Sequence, residues 1–323
     1  MYRKFSIKTL AITFLVLLTM VVAVKIIDSF GRGNTLKDVL FDINTDDVTT
    51  IRIYPQSEKG KEITLVKNNG VWSVKFNGVT YNGDQNLINS LPEQINKLKP
   101  LRLAATKKES RKNFQLTDSL ATKVLLENNG KVLAGLYIGK FSYIMPKNRP
   151  QQQNPYMRRP QGKMNTYVRT LDDDNIYAVE GFLGMSFNRS ADDYRDKTII
   201  SVNRNDLTKL TFSYPADSSF VLTKKDNKWF VDDQPADSAS VVKYLNSITH
   251  LRGRTFAGNA VASFNHSVKL EGSNMEPVTV QAFVSDKGAI ITSSQNKGTI
   301  FTDDKKNIVK KLFAGRNTFQ TKQ

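Results

Sequence analysis

The chain has 323 residues, 39% hydrophobic and 24% charged, with no cysteine and two histidines. That length allows two ordinary domains, each able to bury its own core, and the lack of cysteine excludes disulfides, thiolate metal sites, thiol nucleophiles and a lipid-modified cysteine. A balance of 47 Lys and Arg against 30 Asp and Glu gives +17, which favours phospholipid headgroups, acidic glycans or nucleic acid as partners, or keeps the surface soluble.

The basic residues Arg3, Lys4 and Lys8 precede an apolar run over 10–24, which Ile26 and Ile27 extend past Lys25. A helix over 10–27 would rise about 27 Å, close to the hydrocarbon thickness of a bilayer. Lys25 would snorkel to the far interface. The basic stub, 1–9, is expected to stay in the cytoplasm, placing everything after Asp28 outside the inner membrane of the cell. A cleaved signal peptide, with Val21 and Ala23 before the cut, is the competing reading. A juxtamembrane linker is expected over 28–47.

The body reads as two copies of one pattern, a first repeat over 48–180 and a second over 207–323, joined by a connector over 181–206. In the first, a strand at Ile51-Arg52-Ile53 leads to Ile63-Thr64-Leu65-Val66, the turn Asn68-Asn69-Gly70, and Val71-Trp72-Ser73-Val74. Alternation and an Asn-Gly turn predict a hairpin. In the second, Leu210-Thr211-Phe212 leads to Phe220-Val221-Leu222, the turn Lys225-Asp226-Asn227, and Lys228-Trp229-Phe230-Val231. The chain's two tryptophans, Trp72 and Trp229, fall at the same point of the same hairpin. Asp84 then opens a run with Ile88, Leu91, Ile95 and Leu98 at helical spacing, and Asp237 opens another with Val241, Tyr244, Ile248 and Leu251 at the same offsets. Each aspartate suits an N-cap, because its carboxylate can accept orphan backbone N–H groups. Further strands are expected within 123–126, 133–138, 166–169 and 176–179, and within 268–270, 278–283, 289–292 and 299–301. A last helix is expected over 305–313. The fold class this predicts is α+β: an N-terminal transmembrane helix, then a tandem duplication of an antiparallel sheet plus helix unit. The stretch 145–165, rich in Pro, Gln and Arg, is expected to be a flexible insert.

Trp72, Asp84, Tyr167-Val168-Arg169, Ile176-Tyr177, Arg195-Asp196-Lys197, Trp229 and Asp237 stand in an order that resembles the bacterial domain-of-unknown-function family 4340. The insert is similar to the Bacteroidetes branch. The resemblance implies a single-pass protein accompanying an ABC-type transporter of the gliding-motility kind, so inner-membrane transporter subunits are the expected partners. It brings no catalytic residue.

The residues themselves point away from catalysis. Asp172-Asp173-Asp174-Asn175 lacks the glycine and terminal glutamate of a calcium loop and reads as a polar hairpin turn. Asp192, Asp193 and Asp196 stand beside Arg195 and Lys197, a spacing that favours salt bridges over acid–base work. His250 is expected at the end of the second helix and His266 at a strand edge, neither with a partner at metal spacing. No catalytic, cofactor or metal site is expected. The binding candidates are Tyr156, Arg158 and Arg159 on the insert, and Lys107, Lys108, Arg111 and Lys112 beyond the first helix. Anionic lipid headgroups or an acidic partner face suit such groups outside a membrane, and export argues against nucleic acid. An envelope protein that binds or hydrolyses glycans is the alternative expectation.

Overall fold

The computed structural model describes residues 12–23, 38–144, 163–216, 218–258 and 263–320. Helix α1 covers residues 12–23, with Ile12, Phe14, Leu15 and Leu17 each more than half exposed. The rest of the expected 10–27 helix, the stub before it and most of the linker after it lie outside the described residues. Among the described residues no helix is long and apolar enough to cross a membrane. The stretch 12–23 rises only about 18 Å, against roughly 30 Å of hydrocarbon.

The body is mostly β-sheet with short helices, an α+β organisation with two large antiparallel sheets. The first set of elements is β1 (Thr50–Tyr54), β2 (Ile63–Asn68), β3 (Val71–Phe76), β4 (Val79–Asn82), α2 (Gln85–Asn89), α3 (Leu91–Ile95) and β5 (Pro100–Ala105). It continues with β6 (Thr122–Asn128), β7 (Lys131–Ile144), β8 (Lys163–Thr170) and β9 (Ile176–Glu180). Two one-turn helices, α4 (Gly184–Phe187) and α5 (Ala191–Tyr194), lead to β10 (Thr198–Ser201). The second set is β11 (Leu207–Ser213), β12 (Phe220–Lys225), β13 (Lys228–Val231), β14 (Gln234–Pro235), α6 (Ser238–Ile248), β15 (His250–Arg252) and β16 (Thr255–Phe256). It ends with β17 (His266–Gly272), β18 (Val278–Ser285), β19 (Gly288–Ser293), β20 (Ile300–Thr302) and α7 (Asn307–Leu312).

One sheet runs β4-β3-β2-β1-β6-β7-β8-β9-β5 and the other β14-β13-β12-β11-β17-β18-β19-β20-β16, while β10 and β15 form a two-stranded sheet. With β15 set aside, the two nine-stranded orders are the same order. Local devices also recur. Asn44 and Asn203 each accept a bond from the amide two residues on, Asp46 and Asn205, at the entry to the two sets. The β2–β3 and β12–β13 turns place Asn69 and Gly70, and Asp226 and Asn227, at positive φ, the geometry of a two-residue hairpin turn that matches strand twist. Gly83 N–H donates to Trp72 O (3.1 Å) as Ala236 N–H does to Trp229 O (2.9 Å). Asp84 N–H then meets Tyr194 O, and Asp237 N–H meets Phe319 O, both at 2.8 Å. The end of α5 thus holds the place in the first set that the turn Arg316–Thr318 and Phe319 hold in the second.

The helices differ for a reason the sequence carries. The expected single helix after Asp84 is two short ones, because Pro92 has no N–H for the Ile88 carbonyl and its ring crowds that turn. Leu245 stands at the same offset from Asp237, and α6 continues through it. Both aspartates cap as expected: Asp84 Oδ1 accepts from Leu87 N (3.2 Å) and Asp237 Oδ1 from Ala239 N (3.1 Å).

By contact density the chain divides into two compact units, residues 1–62 with 90–189 and residues 63–89 with 190–323. In the first, Ile51, Ile53, Val124, Leu126, Leu136, Ile138 and Val168 are buried on one face of β1, β6, β7 and β8. The opposite face carries a cross-strand row, Tyr54, Lys123, Tyr137 and Arg169, alternating ring and cation. In the second, α6 lays Val241, Tyr244, Leu245 and Ile248 into a core with Leu210, Phe212, Leu222, Val268 and Phe301. Trp229 belongs to that core at 7% exposure, and Trp72 is buried at 2% with its Nε1 donating to Asn89 Oδ1 (2.7 Å).

Candidate functional site

Of the candidate binding residues, Tyr156, Arg158 and Arg159 lie outside the described residues. Lys107 precedes a 3₁₀ segment, Lys108–Phe114, that carries Lys108, Arg111 and Lys112. The three lysines are exposed, whereas Arg111 is half-buried and ion-paired with Asp174. The structure therefore sets three exposed lysines on one short segment and the residue before it, and commits the arginine to the acidic turn.

The acidic candidates are bonded internally. Asp173 accepts from Asn175 N and Tyr177 Oη, both at 2.8 Å, which closes the β8–β9 turn. Asp192 pairs with Arg195 at 2.8 Å and Asp193 with Lys197 at 3.3 Å. Burial alone would push the Asp193 carboxyl up, but bonds from Ser190 and Lys197 outweigh it and hold it below the usual carboxylate range. Asp196 Oδ1 accepts from Thr198 N (2.9 Å). His250 is the exposed first residue of β15, just past α6. His266 begins β17 with its ring 5.4 Å from those of both Tyr214 and Phe313, and burial lowers its pKa. Among the described residues no group of three or more His, Asp and Glu is placed to hold a metal.

The motif residues have equally specific work. Tyr167 is buried against Phe114, ring centroids 4.6 Å apart, and accepts from Arg102 (3.1 Å). Arg169 is 3% exposed: its guanidinium lies 3.5 Å from the Tyr137 ring centroid, donates to Leu116 O (3.0 Å) and pairs with Asp118 (2.6 Å). Together they pin the segment from Phe114 to Ala121 across the outer sheet face. Arg195 is sandwiched between the rings of Tyr81 (3.8 Å) and Phe256 (3.5 Å). The next residue's backbone is held on both sides, Asp196 N–H by Asn82 O (2.8 Å) and Asp196 O by Asn296 Nδ2 (2.9 Å). Buried Asn296 also accepts from Asn82 (2.9 Å) and Thr299 (2.8 Å). The Arg-Asp-Lys joint is a clasp.

Sequence reasoning missed an exposed apolar cluster in the first unit. Strand β7 slips register by one residue between Ile138 and Phe141, where Gly139 lies against the Phe114 carbonyl too closely for any side chain. Beyond this bulge Phe141 and Tyr143 lie on the face of Ile138 and Val168, where each is 51% exposed, and Met164 of β8 stands directly across from Tyr143. Gly181, at φ +101°, donates its N–H to Met164 O (2.8 Å) and turns Phe182 onto Phe141, ring centroids 4.5 Å apart. Met185 follows within the next turn, its amide bonded to Phe182 O (3.1 Å). The readable signal was an alternation that resumes out of phase at Phe141 and Tyr143, after Gly139, and a second apolar stretch just after Gly181.

The sequence model of the family described as "Domain of unknown function (DUF4340)" matches residues 157–268, less than half of the chain. The stretch includes Tyr167, Arg169, Tyr177, Arg195, Asp196 and Trp229, and the match supports the resemblance those motifs carry. No curated protein and no solved structure gives a significant match.

Proposed function

We propose that this chain is a membrane-anchored extracytoplasmic accessory protein, a tandem duplication of one α+β repeat that docks on an ABC-type transporter complex of the gliding-motility kind. The observation that carries the accessory reading is the use made of the motif residues. Tyr167, Arg169, Arg195 and Asp196, the groups best able to do chemistry, are all bonded within the fold. What such a body offers a partner is surface. The duplication is supported by the shared strand order and the repeated caps and turns. The anchor is supported by the uncharged run over 10–24 behind a basic flank, and by exposed apolar side chains along α1. In this reading the body lies on the periplasmic side of the inner membrane, as the basic flank favours.

Docking is assigned to exposed Lys107, Lys108 and Lys112 together with Tyr156, Arg158 and Arg159, which suit an acidic face on a transporter subunit. The test is an affinity pull-down from detergent-solubilised membranes, comparing wild type with Lys107→Glu/Lys108→Glu/Lys112→Glu. The wild-type eluate is expected to contain an inner-membrane transporter subunit, reduced about tenfold or more in the variant at unchanged protein level, since like charges across an interface are strongly unfavourable. Equal capture by both proteins would remove the lysines from the interface. Turnover of a cell-wall glycan, lost on a single Asp→Asn change, would replace the accessory reading with the enzymatic one.

A further inference from the structure

We propose that Phe141, Tyr143, Met164, Phe182 and Met185 form a second membrane contact, seated in the headgroup interface of an anionic bilayer. The inference rests on the anchor reading. The five side chains are 51%, 51%, 46%, 38% and 63% exposed. Single exposed apolar residues are ordinary on a soluble surface, but a contiguous group marks a contact site. Here the contiguity is explicit: Phe141 packs on Phe182, Tyr143 pairs across strands with Met164, and Met185 stands one turn on from Phe182, its backbone amide bonded to the Phe182 carbonyl.

The composition selects the occupant. Phenylalanine and methionine bury their apolar bodies at the acyl boundary, and tyrosine keeps its hydroxyl among the headgroups. Cations flank the group: Lys163 is exposed beside Met164, and Arg189 donates to the Met185 carbonyl. Glu180 faces Lys163 at 3.8 Å. A net charge of +17 adds long-range attraction to anionic lipid. Between the apolar run ending at Ile27 and the first described body residue, Asp38, the chain can reach at most about 40 Å. Such a tether holds the cluster near the surface at a high effective concentration, so a patch too weak to bind alone can stay docked.

The absence of cysteine makes the test direct. Full-length Tyr143→Cys, carrying an environment-sensitive fluorophore, is reconstituted into vesicles of phosphatidylcholine with or without phosphatidylglycerol, each doped with spin-labelled lipid. Val132→Cys, exposed at the far end of β7 and about 35 Å along the strand, serves as the control. The label at 143 is expected to shift to the blue and be quenched in phosphatidylglycerol vesicles, and the label at 132 to remain in water. Phe141→Ser/Phe182→Ser should abolish the quenching, and Lys163→Gln should lower the docked-to-undocked ratio about fivefold. A label at 143 quenched no more than that at 132, or quenched equally in neutral vesicles, would overturn the proposal. Flotation with the vesicles after alkaline carbonate reports the anchor separately. A chain that floats with a solvent-exposed label at 143 defeats this inference alone; a chain that does not float defeats the anchor reading, and the inference with it.

Discussion

The Arg195 guanidinium lies 3.5 Å from the Phe256 ring centroid and 3.8 Å from that of Tyr81, with Asp192 at 2.8 Å. Asp192 is well exposed, so the ion pair itself is worth little. The two ring faces and the burial of the side chain do more, because a desolvated cation over aromatic rings is strongly held. Arg195→Ala is therefore expected to lower the unfolding free energy by about 2–4 kcal/mol in urea titration of the solubilised chain. Arg195→Lys should recover less than half, since an ammonium cannot lie flat between two rings. A loss within about 0.5 kcal/mol, as for an ordinary surface position, would contradict this role. The residue scale was partly legible in the sequence. Asp84 and Asp237 announced themselves as caps because a cap is satisfied within three residues of chain. The clasp did not, because Tyr81 and Phe256 meet Arg195 from widely separated strands.

Elements were easiest to read where a local rule decides them. Both tryptophan hairpins lie where alternation and their turn residues put them, and Trp72 and Trp229 are buried in equivalent strands. Trp→Ala at either position is expected to cost about 3–5 kcal/mol, the range for emptying a core aromatic. Trp72→Phe should still cost about 1–3 kcal/mol, because it removes the donor to Asn89 Oδ1. Urea denaturation of the two single variants and Trp72→Phe measures both; near-neutral values at Trp72 would show that it does not anchor the hairpin. The break at Pro92 was visible as a residue but yielded to the apolar spacing around it. That spacing survives the break, since Ile88, Leu91 and Ile95 are all buried. The short strands β4 and β14 escaped notice because edge strands of two to four exposed residues carry little alternation. The bulge at Gly139 puts Phe141 across from Thr166, on the face of Ile138 and not that of Tyr137, because a one-residue slip changes which face every later side chain takes.

At the scale of the whole molecule, the shared strand order follows from similar successions of short hairpins, each folded back on its neighbour. The compact units do not follow the repeats: residues 63–89 of the first repeat belong with 190–323. Repetition of motifs along the chain could not reveal that, because the side chains that hold those segments together, Asn82 with Asn296 and Asp84 with Arg252, lie far apart in sequence. The basic excess and the apolar N-terminal run are whole-chain properties and were legible at once. They carry the functional account, which requires the body to sit outside the inner membrane on an uncleaved anchor. The most direct test is protease added to spheroplasts, combined with alkaline carbonate washing of the membranes. The account predicts a chain retained in the washed membrane whose body is digested from outside. A soluble mature protein beginning at Val24, or a body protected until the membrane is breached, would contradict it.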